Sequence, residues 1–343
     1  MANYKISLIT GEKQLEIREQ ELKQPKTNQV LLKIEASAIC TLEQRLYRGV
    51  LKNYPFAGGH EAAGSIVSVG ENVAYLKEGD RAAIRLLTNC GECYYCRSGL
   101  ENQCEVSFRA MTHEGVNGPG GLSEYMLVDS RAVFKLDPNV NIHHAALAEP
   151  LACCIHSVRN GVIELGDDVV VLGVGVMGAL HIALAKMQGA RVIACEVDTA
   201  RLEVARAMGA DITINSKELN AVEKVKELTE GRGANVTFCT AALSALAADA
   251  IKMTAKRGRV VLYSSFHPND PVSLDPNALH YSEMILTGSV NPGIKDFQTA
   301  IRLLSLGLIK IDKMISASYP LDKINEAFEK AILPGTYRVL IDF

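Results

Sequence analysis

Several features that would place this chain in another class of protein are missing from its sequence. The formal net charge is −3, and neither a basic stripe nor a long run of like charges is present, so we expect no nucleic acid and no anionic membrane as a partner. Residues 1–20 lack an apolar core of signal-peptide length, so we expect a cytoplasmic protein. A small-molecule ligand is the more natural expectation.

One uncharged stretch, residues 169–185, lies at the lower length limit of a membrane span. Three glycines in its first half, β-branched residues at its start and charged residues at both flanks favour a buried strand that turns into a helix. We therefore expect no membrane span here.

The chain contains two regions with different sequence patterns. Up to about residue 136, short β-like runs separated by Gly, Pro and Asn predict an antiparallel barrel or sandwich. From residue 166, strands alternate with helices, which predicts an α/β domain with a doubly wound parallel sheet. The last strand-like run, RVLIDF, would need a sheet to join, and the first domain is the nearest candidate. With 343 residues, of which 48% are apolar, the chain can bury two cores.

A glycine-rich turn follows the first predicted strand of the second region. Gly173, Gly175 and Gly178 in GVGVMG would allow a tight turn, close approach of a pyrophosphate and close packing of a helix. The next strand ends in Glu196, whose carboxylate could accept hydrogen bonds from both ribose hydroxyls and repel a 2′-phosphate, which favours NAD over NADP. Asp198, two residues later, is the alternative acid for this role. The predicted cofactor site also includes Val176, Met177 and Arg201.

Nine cysteines in a chain without a secretory signal suggest metal or redox chemistry before disulfides. Four of them follow the spacing C-x2-C-x2-C-x7-C, namely Cys90, Cys93, Cys96 and Cys104. Four thiolates at such spacings suit a closed tetrahedral zinc site that holds a loop together. An iron–sulfur cluster is the alternative, although the last spacing differs from the common ferredoxin pattern.

A second group of possible ligands is spread over three segments. Cys40 precedes the glycine-flanked pair His60 and Glu61, and Glu149 stands before Pro150, in a position suited to the first turn of a helix. A cysteine, a histidine and a carboxylate can leave one position of a zinc ion open, as catalysis requires. Each residue has another interpretation when taken alone: a packed thiol, a satisfied histidine and a helix-capping acid.

Together these motifs resemble the zinc-dependent medium-chain dehydrogenases and reductases, in the branch that includes sorbitol, galactitol-phosphate and threonine dehydrogenases. The resemblance covers essentially the whole chain, in family order, through GHEAAG, GDR, the cysteine lobe, GGLSEY, EPLAC, GVGVMG and RLEVARAMGAD. It implies a mainly β, GroES-like catalytic domain at 1–152 with a zinc lobe at 86–106, a Rossmann domain at 153–292 and a return to the catalytic domain at 293–343. Homodimers or homotetramers are also implied, with an edge-to-edge contact around residues 284–290.

The resemblance also implies a reaction. A secondary alcohol of a polyol, sugar acid or sugar phosphate would be oxidised with NAD, and each chain would bind two zinc ions. Cys40, His60 and Glu149 occupy the catalytic zinc positions, and Glu61 is the extra carboxylate that can ligate zinc directly in polyol-type members. Residues 111–113 (Met111, Thr112, His113) belong to a segment that lines the pocket in relatives.

The chain departs from the family at the proton relay. Leu42 replaces the usual Ser or Thr and has no exchangeable proton, and Glu43 replaces the neighbouring Asp. Thr41, Glu61 or a water molecule could substitute, and Arg45 could contact a phosphate or carboxylate of the substrate. Two other functions stay open: redox-neutral use of NAD without net NADH, and a non-catalytic dinucleotide-binding protein with structural zinc only.

Overall fold

The computed structural model describes residues 3–87, 89–106 and 112–343. Its contacts divide the chain into two compact units: unit 1 comprises Met1–Ala152 and Gly293–Phe343, and unit 2 comprises Cys153–Pro292. Within the described residues, no helix is both long enough and apolar enough to cross a membrane. The uncharged stretch at 169–185 forms a strand followed by a helix, as predicted.

The elements up to residue 161 are mostly short strands. They are β1 (Asn3–Gly11), β2 (Gln14–Glu21), β3 (Gln29–Ala38), α1 (Thr41–Tyr47), β4 (Glu61–Val69), β5 (Arg81–Ile84), α2 (Tyr94–Arg97), β6 (Thr112–His113), β7 (Val116–Asn117), β8 (Tyr125–Asp129), β9 (Val133–Lys135), α3 (Ile142–Ala146) and α4 (Ala148–Gly161).

Strands and helices then alternate, and a final segment follows. The alternating elements are β10 (Asp168–Leu172), α5 (Val176–Met187), β11 (Arg191–Glu196), α6 (Thr199–Ala207), β12 (Ile212–Asn215), α7 (Ala221–Leu228), β13 (Ala234–Cys239), α8 (Ser244–Met253), β14 (Thr254–Leu262), α9 (Pro276–Ser282) and β15 (Ile285–Gly288). The final segment contains α10 (Ile294–Ser305), β16 (Ile315–Pro320), α11 (Ile324–Ala331) and β17 (Arg338–Asp342).

The main sheet of unit 1 has the strand order β16-β17-β3-β4-β5-β9, and β8 also pairs with β3. All its pairs are antiparallel except β16–β17. The last predicted strand, β17, therefore joins the sheet of the first region, as expected. Hairpins β1–β2 and β6–β7 complete the strands of the described part of this unit.

Unit 2 contains a six-stranded parallel sheet in the order β12-β11-β10-β13-β14-β15. All five residues of β10 are buried, which is typical of a central strand covered by helices on both faces. This order is that of a doubly wound dinucleotide-binding sheet, whose ligands bind at the carboxyl ends of the strands near β10. The α/β prediction for this region is confirmed.

An apolar cluster in unit 1 supports the segment that carries the first predicted metal ligand. Ile39, Leu46, Phe328 and Val339 are buried in it, and Leu42 packs against it. Fully burying a side chain of this size contributes about 1.5–3 kcal/mol. Apolar packing of Leu42 and its neighbours therefore fixes the position of the start of α1.

Candidate functional site

Strand register in unit 1 brings three distant segments together. In the β3–β4 pair Ala38 lies opposite Glu61, and in the β17–β3 pair Leu340 lies opposite Ala38. Cys40, directly beyond the end of β3, therefore lies next to His60 on one side and Arg338 on the other. An Nη2 of Arg338 lies 3.6 Å from the Cys40 sulfur.

A close backbone approach fixes the position of His60. Gly59 has φ +96°, and a Cβ there would come within 2.3 Å of the Leu122 nitrogen, so only glycine fits. The Oε1 of Glu43 accepts a hydrogen bond from the Gly59 amide at 2.9 Å and lies 3.1 Å from His60 Nδ1. Glu43 thereby occupies one imidazole nitrogen and leaves Nε2 for a metal, as outer carboxylates do in metal sites.

Glu61 is held by an arginine that sequence reasoning missed. The Nε and Nη2 atoms of Arg338 donate to the two carboxylate oxygens of Glu61 at 2.8 and 2.6 Å. Glu61 is fully buried and Arg338 is 5% exposed. The one signal for Arg338 in the sequence is its position as the lone basic residue at the start of the apolar run RVLIDF. The bidentate pair engages both carboxylate oxygens of Glu61, so a direct Glu61–zinc bond would have to compete with it.

Glu149 approaches the same histidine from another element. It lies in the first turn of α4, as predicted, and is 9% exposed. Donor atoms of His60, Glu61 and Glu149 lie within 4.8 Å of one another, and so do those of Cys40, Glu43 and His60. His60 is common to both groups. A thiol, an imidazole and carboxylates at this spacing are a donor set that suits zinc.

The buried charges at this site shift one another's pKa values. Burial lowers the pKa of His60, but Glu43 and Cys40 outweigh it and raise that pKa well above its usual value. Burial and Glu61 raise the pKa of the Cys40 thiol, against His60 and Arg338, which lower it. Zinc binds a thiolate and a neutral imidazole, so these residues would release protons when a metal binds.

The four cysteines of the lobe also converge. Cys90, Cys93, Cys96 and Cys104 offer sulfur atoms that all lie within 4.8 Å of one another. Backbone amides of Cys90 and Cys93 point at the sulfurs of Cys104 and Cys90, at 3.4 and 3.3 Å. The Cys90 amide is the main cause that lowers the pKa of Cys104 to about 6. Four thiols with thiolate-stabilising amides and no open position fit a structural zinc ion.

The remaining unit 1 residues singled out from the sequence lie around this site in different ways. Thr41 is the first residue of α1 and is exposed, and Arg45 stands in its last turn, half-buried. Thr112 is exposed, whereas His113 Nε2 lies 3.0 Å from the hydroxyl of the buried Tyr4, which attaches the β6–β7 hairpin to β1. Met111 lies outside the described residues.

In unit 2 the glycine-rich turn has the expected form. Gly173 follows β10 with φ +89°, and Gly175 precedes the first residue of α5. A Cβ at Gly178 would come within 1.9 Å of the Gly173 carbonyl oxygen, so the helix can pack this closely only on glycine. Val176 and Met177 form the first turn of α5. Amides at the start of a helix are suited to bind a pyrophosphate.

The two rival acids have different partners. Glu196 ends β11, and its carboxylate accepts hydrogen bonds from the amides of Val174, in the glycine-rich turn, at 2.8 Å and of Val197 at 2.7 Å. Arg201 Nη1 lies 4.0 Å from Glu196 Oε2. Asp198 instead caps α6, accepting from the Ala200 amide at 2.8 Å. Glu196 therefore faces the glycine-rich turn, and Asp198 serves the next helix.

A cleft of about 680 Å³ opens beside Glu196 at the carboxyl ends of β10, β11 and β12. Leu172, Val197 and Leu246 give it apolar walls, and Ser216, Lys217 and Asn220 give it polar ones. A cleft at the switch point of a doubly wound sheet, with apolar walls and a few polar groups, suits the adenosine part of a dinucleotide.

Two family models match the chain. The model of the alcohol dehydrogenase GroES-like domain matches residues 26–138, and the model of the zinc-binding dehydrogenase matches residues 173–305. The first match contains Cys40, His60 and the cysteine lobe, and the second contains the glycine-rich turn and Glu196.

Similar proteins agree with these models. The D-arabitol-phosphate dehydrogenase of Enterococcus avium is 30% identical over 321 residues, which cover 92% of this chain and 90% of that protein. A solved zinc-binding dehydrogenase from Sinorhizobium meliloti 1021, bound to NADP, is 27% identical with a TM-score of 0.91 and full coverage of both chains. An alcohol dehydrogenase from Escherichia coli CFT073, complexed with NADH, is 28% identical with a TM-score of 0.91 and full coverage of both chains. The predicted family is thus confirmed: the chain belongs to the zinc-dependent medium-chain dehydrogenases, oxidoreductases that transfer hydride to or from a nicotinamide cofactor, in the branch of the polyol dehydrogenases.

Proposed function

We propose that this chain oxidises a secondary alcohol of a polyol, sugar acid or sugar phosphate with NAD and carries two zinc ions. The observation that supports the proposal best is that two groups of donor atoms share His60 in unit 1, one that contains Cys40 and one that contains Glu149, separate from a closed four-thiol site. The phosphorylated polyol in the name of the E. avium relative supports the substrate class.

Cys40, His60 and Glu149 would hold the catalytic zinc, and the four lobe cysteines would hold the structural one. When bound, the catalytic ion supplies a Lewis acid that makes the substrate hydroxyl easier to deprotonate. Glu43 fixes the imidazole through Nδ1, and Arg338 balances the charge of Glu61. The Rossmann unit would bind the cofactor through its glycine-rich turn and Glu196.

The proton would leave along a route different from that of relatives. Leu42 packs against the apolar cluster and cannot carry a proton. Thr41 stands between Cys40 and Leu42 in the sequence. It is exposed and has a hydroxyl at the start of α1. We assign the relay to Thr41, and the change Thr41→Val should lower kcat without altering zinc content. An unchanged kcat in this variant would leave Glu61 or a water molecule as the carrier.

NAD rather than NADP is the proposed cofactor. Glu196 is 8% exposed and accepts hydrogen bonds from three backbone amides, so its carboxylate is fixed at the end of β11. A 2′-phosphate would meet this negative charge. Arg201 reduces that repulsion, but at 4.0 Å it is only loosely paired with Glu196.

We also propose a homodimer or homotetramer that uses β15. This strand is at the edge of the unit 2 sheet, and Ile285 is 40% exposed. An edge strand with exposed apolar residues is suited to pair with a second copy. Light scattering of the wild type and of Ile285→Lys tests this, since the charge should shift the population toward monomer.

The test of the zinc mechanism compares metal content with turnover. The wild type should contain two zinc ions per chain and reduce NAD on at least one member of a panel of polyols, sugar acids and their phosphates. His60→Ala should contain one zinc, bind NAD normally and lose turnover, and His143→Ala, a surface histidine paired with Asp342 at 2.9 Å, is the matched control. Full turnover in His60→Ala would refute the mechanism.

Product analysis separates the alternatives. Product without net NADH would indicate redox-neutral use of the cofactor. One zinc per chain in the wild type, together with no product, would indicate a dinucleotide-binding protein. Two variants test the cofactor preference. Glu196→Ala should weaken the binding of NAD more than that of NADP. Asp198→Asn, which keeps the cap of α6, should not change the ratio of the two affinities. A wild type that prefers NADP would overturn the NAD assignment.

A further inference from the structure

Thr240, which directly follows β13, places its hydroxyl against the glycine-rich turn. Its Oγ1 donates to the carbonyl oxygens of Leu172 and Gly173, each at 2.9 Å. A hydroxyl carries one proton, so the two carbonyls share it. The backbone amide of Thr240 also donates to the Leu172 carbonyl, at 3.0 Å. One residue thus binds both carbonyl groups at the point where β10 ends and the turn begins.

The Gly173 carbonyl lies beneath the first turn of α5. A Cβ at Gly178 would come within 1.9 Å of this carbonyl oxygen and within 2.8 Å of Thr240 Oγ1. A carbonyl that is enclosed in this way needs a hydrogen-bond donor inside the protein, and the Thr240 hydroxyl supplies one. Removal of the hydroxyl would take this donor from a closely packed acceptor.

The other side of the same peptide group is bound to Glu196. The amide of Val174, which shares this peptide bond with the Gly173 carbonyl, donates to Glu196 Oε2 at 2.8 Å. A peptide group is planar, so its C=O and N–H cannot turn independently. Hydrogen bonds in a chain also polarise and strengthen one another. A continuous chain of hydrogen bonds therefore runs from the Thr240 hydroxyl through one peptide to the Glu196 carboxylate.

This peptide needs an external support because it begins at a glycine. Gly173 has φ +89°, which glycine adopts without strain but also leaves without strain. Thr240 itself is held in place by the segment after β14: the Ser264 hydroxyl donates to the Thr240 carbonyl at 2.7 Å, and the Tyr263 amide donates to the Cys239 carbonyl at 3.1 Å. The flexible turn is thus supported by a residue that is fixed from a third strand.

The amides that bind Glu196 differ in what they fix. Those of Val197 and Asp198, the next two residues of the chain, donate to Oε1 at 2.7 and 3.2 Å. They hold the carboxylate at the end of its own strand. The Val174 amide belongs to the glycine-rich turn and binds the other oxygen. It is the contact that directs Glu196 toward the turn.

We propose that Thr240 is a positioning residue for the cofactor site: its hydroxyl fixes the Gly173–Val174 peptide, and this peptide fixes the carboxylate of Glu196. The proposal rests on the proposed function, in which Glu196 accepts hydrogen bonds from the ribose hydroxyls of NAD. Without the Thr240 hydroxyl the peptide can rotate at Gly173, and Glu196 loses its orientation. NADH binding should suffer most, because a 2′-phosphate gains nothing from a well-placed carboxylate.

The experiment measures the Kd of NADH and of NADPH for the purified enzyme, through the fluorescence of the bound dihydronicotinamide. Thr240→Val, which removes the hydroxyl and keeps the shape, should bind NADH about 10-fold more weakly and NADPH nearly as well as the wild type. Thr240→Ser, which keeps the hydroxyl, should restore NADH binding to within a few-fold. If Thr240→Val does not fold, Thr240→Ala replaces it, with the same expectation. Unchanged NADH binding in the folded variant would overturn the proposal.

Thr237→Val is the matched control. Thr237 lies on β13 too and is fully buried, but its Oγ1 lies 2.6 Å from Thr254 Oγ1, on β14. This variant should lower the melting temperature without changing the ratio of the two cofactor affinities. A structural role alone would make Thr240→Val weaken NADH and NADPH equally, and that result would overturn the proposal.

A double-mutant cycle separates the proposal from the proposed function. If Thr240 acts through Glu196, Thr240→Val should add little to the loss of NADH binding in Glu196→Ala. Full additivity of the two losses would overturn the positioning role and leave the proposed role of Glu196 intact. Unchanged NADH binding in Glu196→Ala alone would instead refute the role of Glu196 in the proposed function.

Discussion

Acidification is expected to destabilise unit 2 through one buried histidine. His181 on α5 is fully buried, and its Nδ1 lies 2.7 Å from the Met177 carbonyl, so this nitrogen carries the proton. Its Nε2 accepts from the Ser157 hydroxyl at 2.8 Å, and the rings of Phe238 and Tyr263 lie 4.9 Å away. The neutral ring is satisfied at both nitrogens, whereas an imidazolium would find no anion among these groups.

The expected magnitude follows from the pKa. Burial lowers the pKa of His181 from 6.5 to about 4, against the Met177 carbonyl, which raises it. Between these values the unfolded chain binds more protons than the folded one, so stability falls as the pH falls. The linkage relation gives a loss of about 2 kcal/mol by about pH 5 and about 3 kcal/mol once the pH is below about 4.

The assay follows urea unfolding by hydrogen exchange in peptides from α5 and β13, which report on unit 2 alone. His181→Gln cannot titrate, so other ionisable groups cancel when the wild type is compared with it. The wild type should be more stable than the variant near neutral pH, and this difference should shrink by about 2 kcal/mol on going to about pH 5. Parallel pH curves for the two proteins would refute the reasoning.

Three other perturbations test the two sites. Arg338→Met leaves the charge of Glu61 buried and unpaired, so unit 1 should lose about 3–5 kcal/mol, and thermal unfolding should show recovery when Glu61→Gln is added; no recovery would contradict the pair. Glu43→Gln should weaken the second zinc about 10- to 100-fold in a chelator titration while sparing the lobe; an unchanged affinity would argue against its outer role. Gly178→Ala places a Cβ 1.9 Å from the Gly173 carbonyl oxygen. Calorimetry should find cofactor binding lost with both zinc ions retained, and normal NAD affinity would show that the turn is not the cofactor site.

Local patterns were sufficient for most of the fold. The alternation after residue 166 predicts the parallel sheet that unit 2 contains. The strand at the end of the chain was predicted, but its neighbours β3 and β16 depend on long-range register, which no local pattern specifies.

The residues of the candidate site also differ in how far the sequence alone reveals them. Short spacings reveal the cysteine lobe, and small, distinctive motifs reveal Cys40 and His60. Arg338 could not be assigned from the sequence because it acquires its role from a carboxylate on a distant segment. Leu42 was recognised as a departure from the family, but only the packing shows that it belongs to an apolar cluster.

The pair formed by Arg338 and Glu61 also bears on the biosynthesis of the enzyme. The two residues are 277 positions apart, and all of unit 2 is translated between them. At about 5–20 residues per second, the ribosome needs roughly 15–60 s to cover this distance. During this time Glu61 lacks the guanidinium of Arg338, whereas the Rossmann sheet can already fold. The catalytic unit is therefore the last part of the nascent chain to complete its fold.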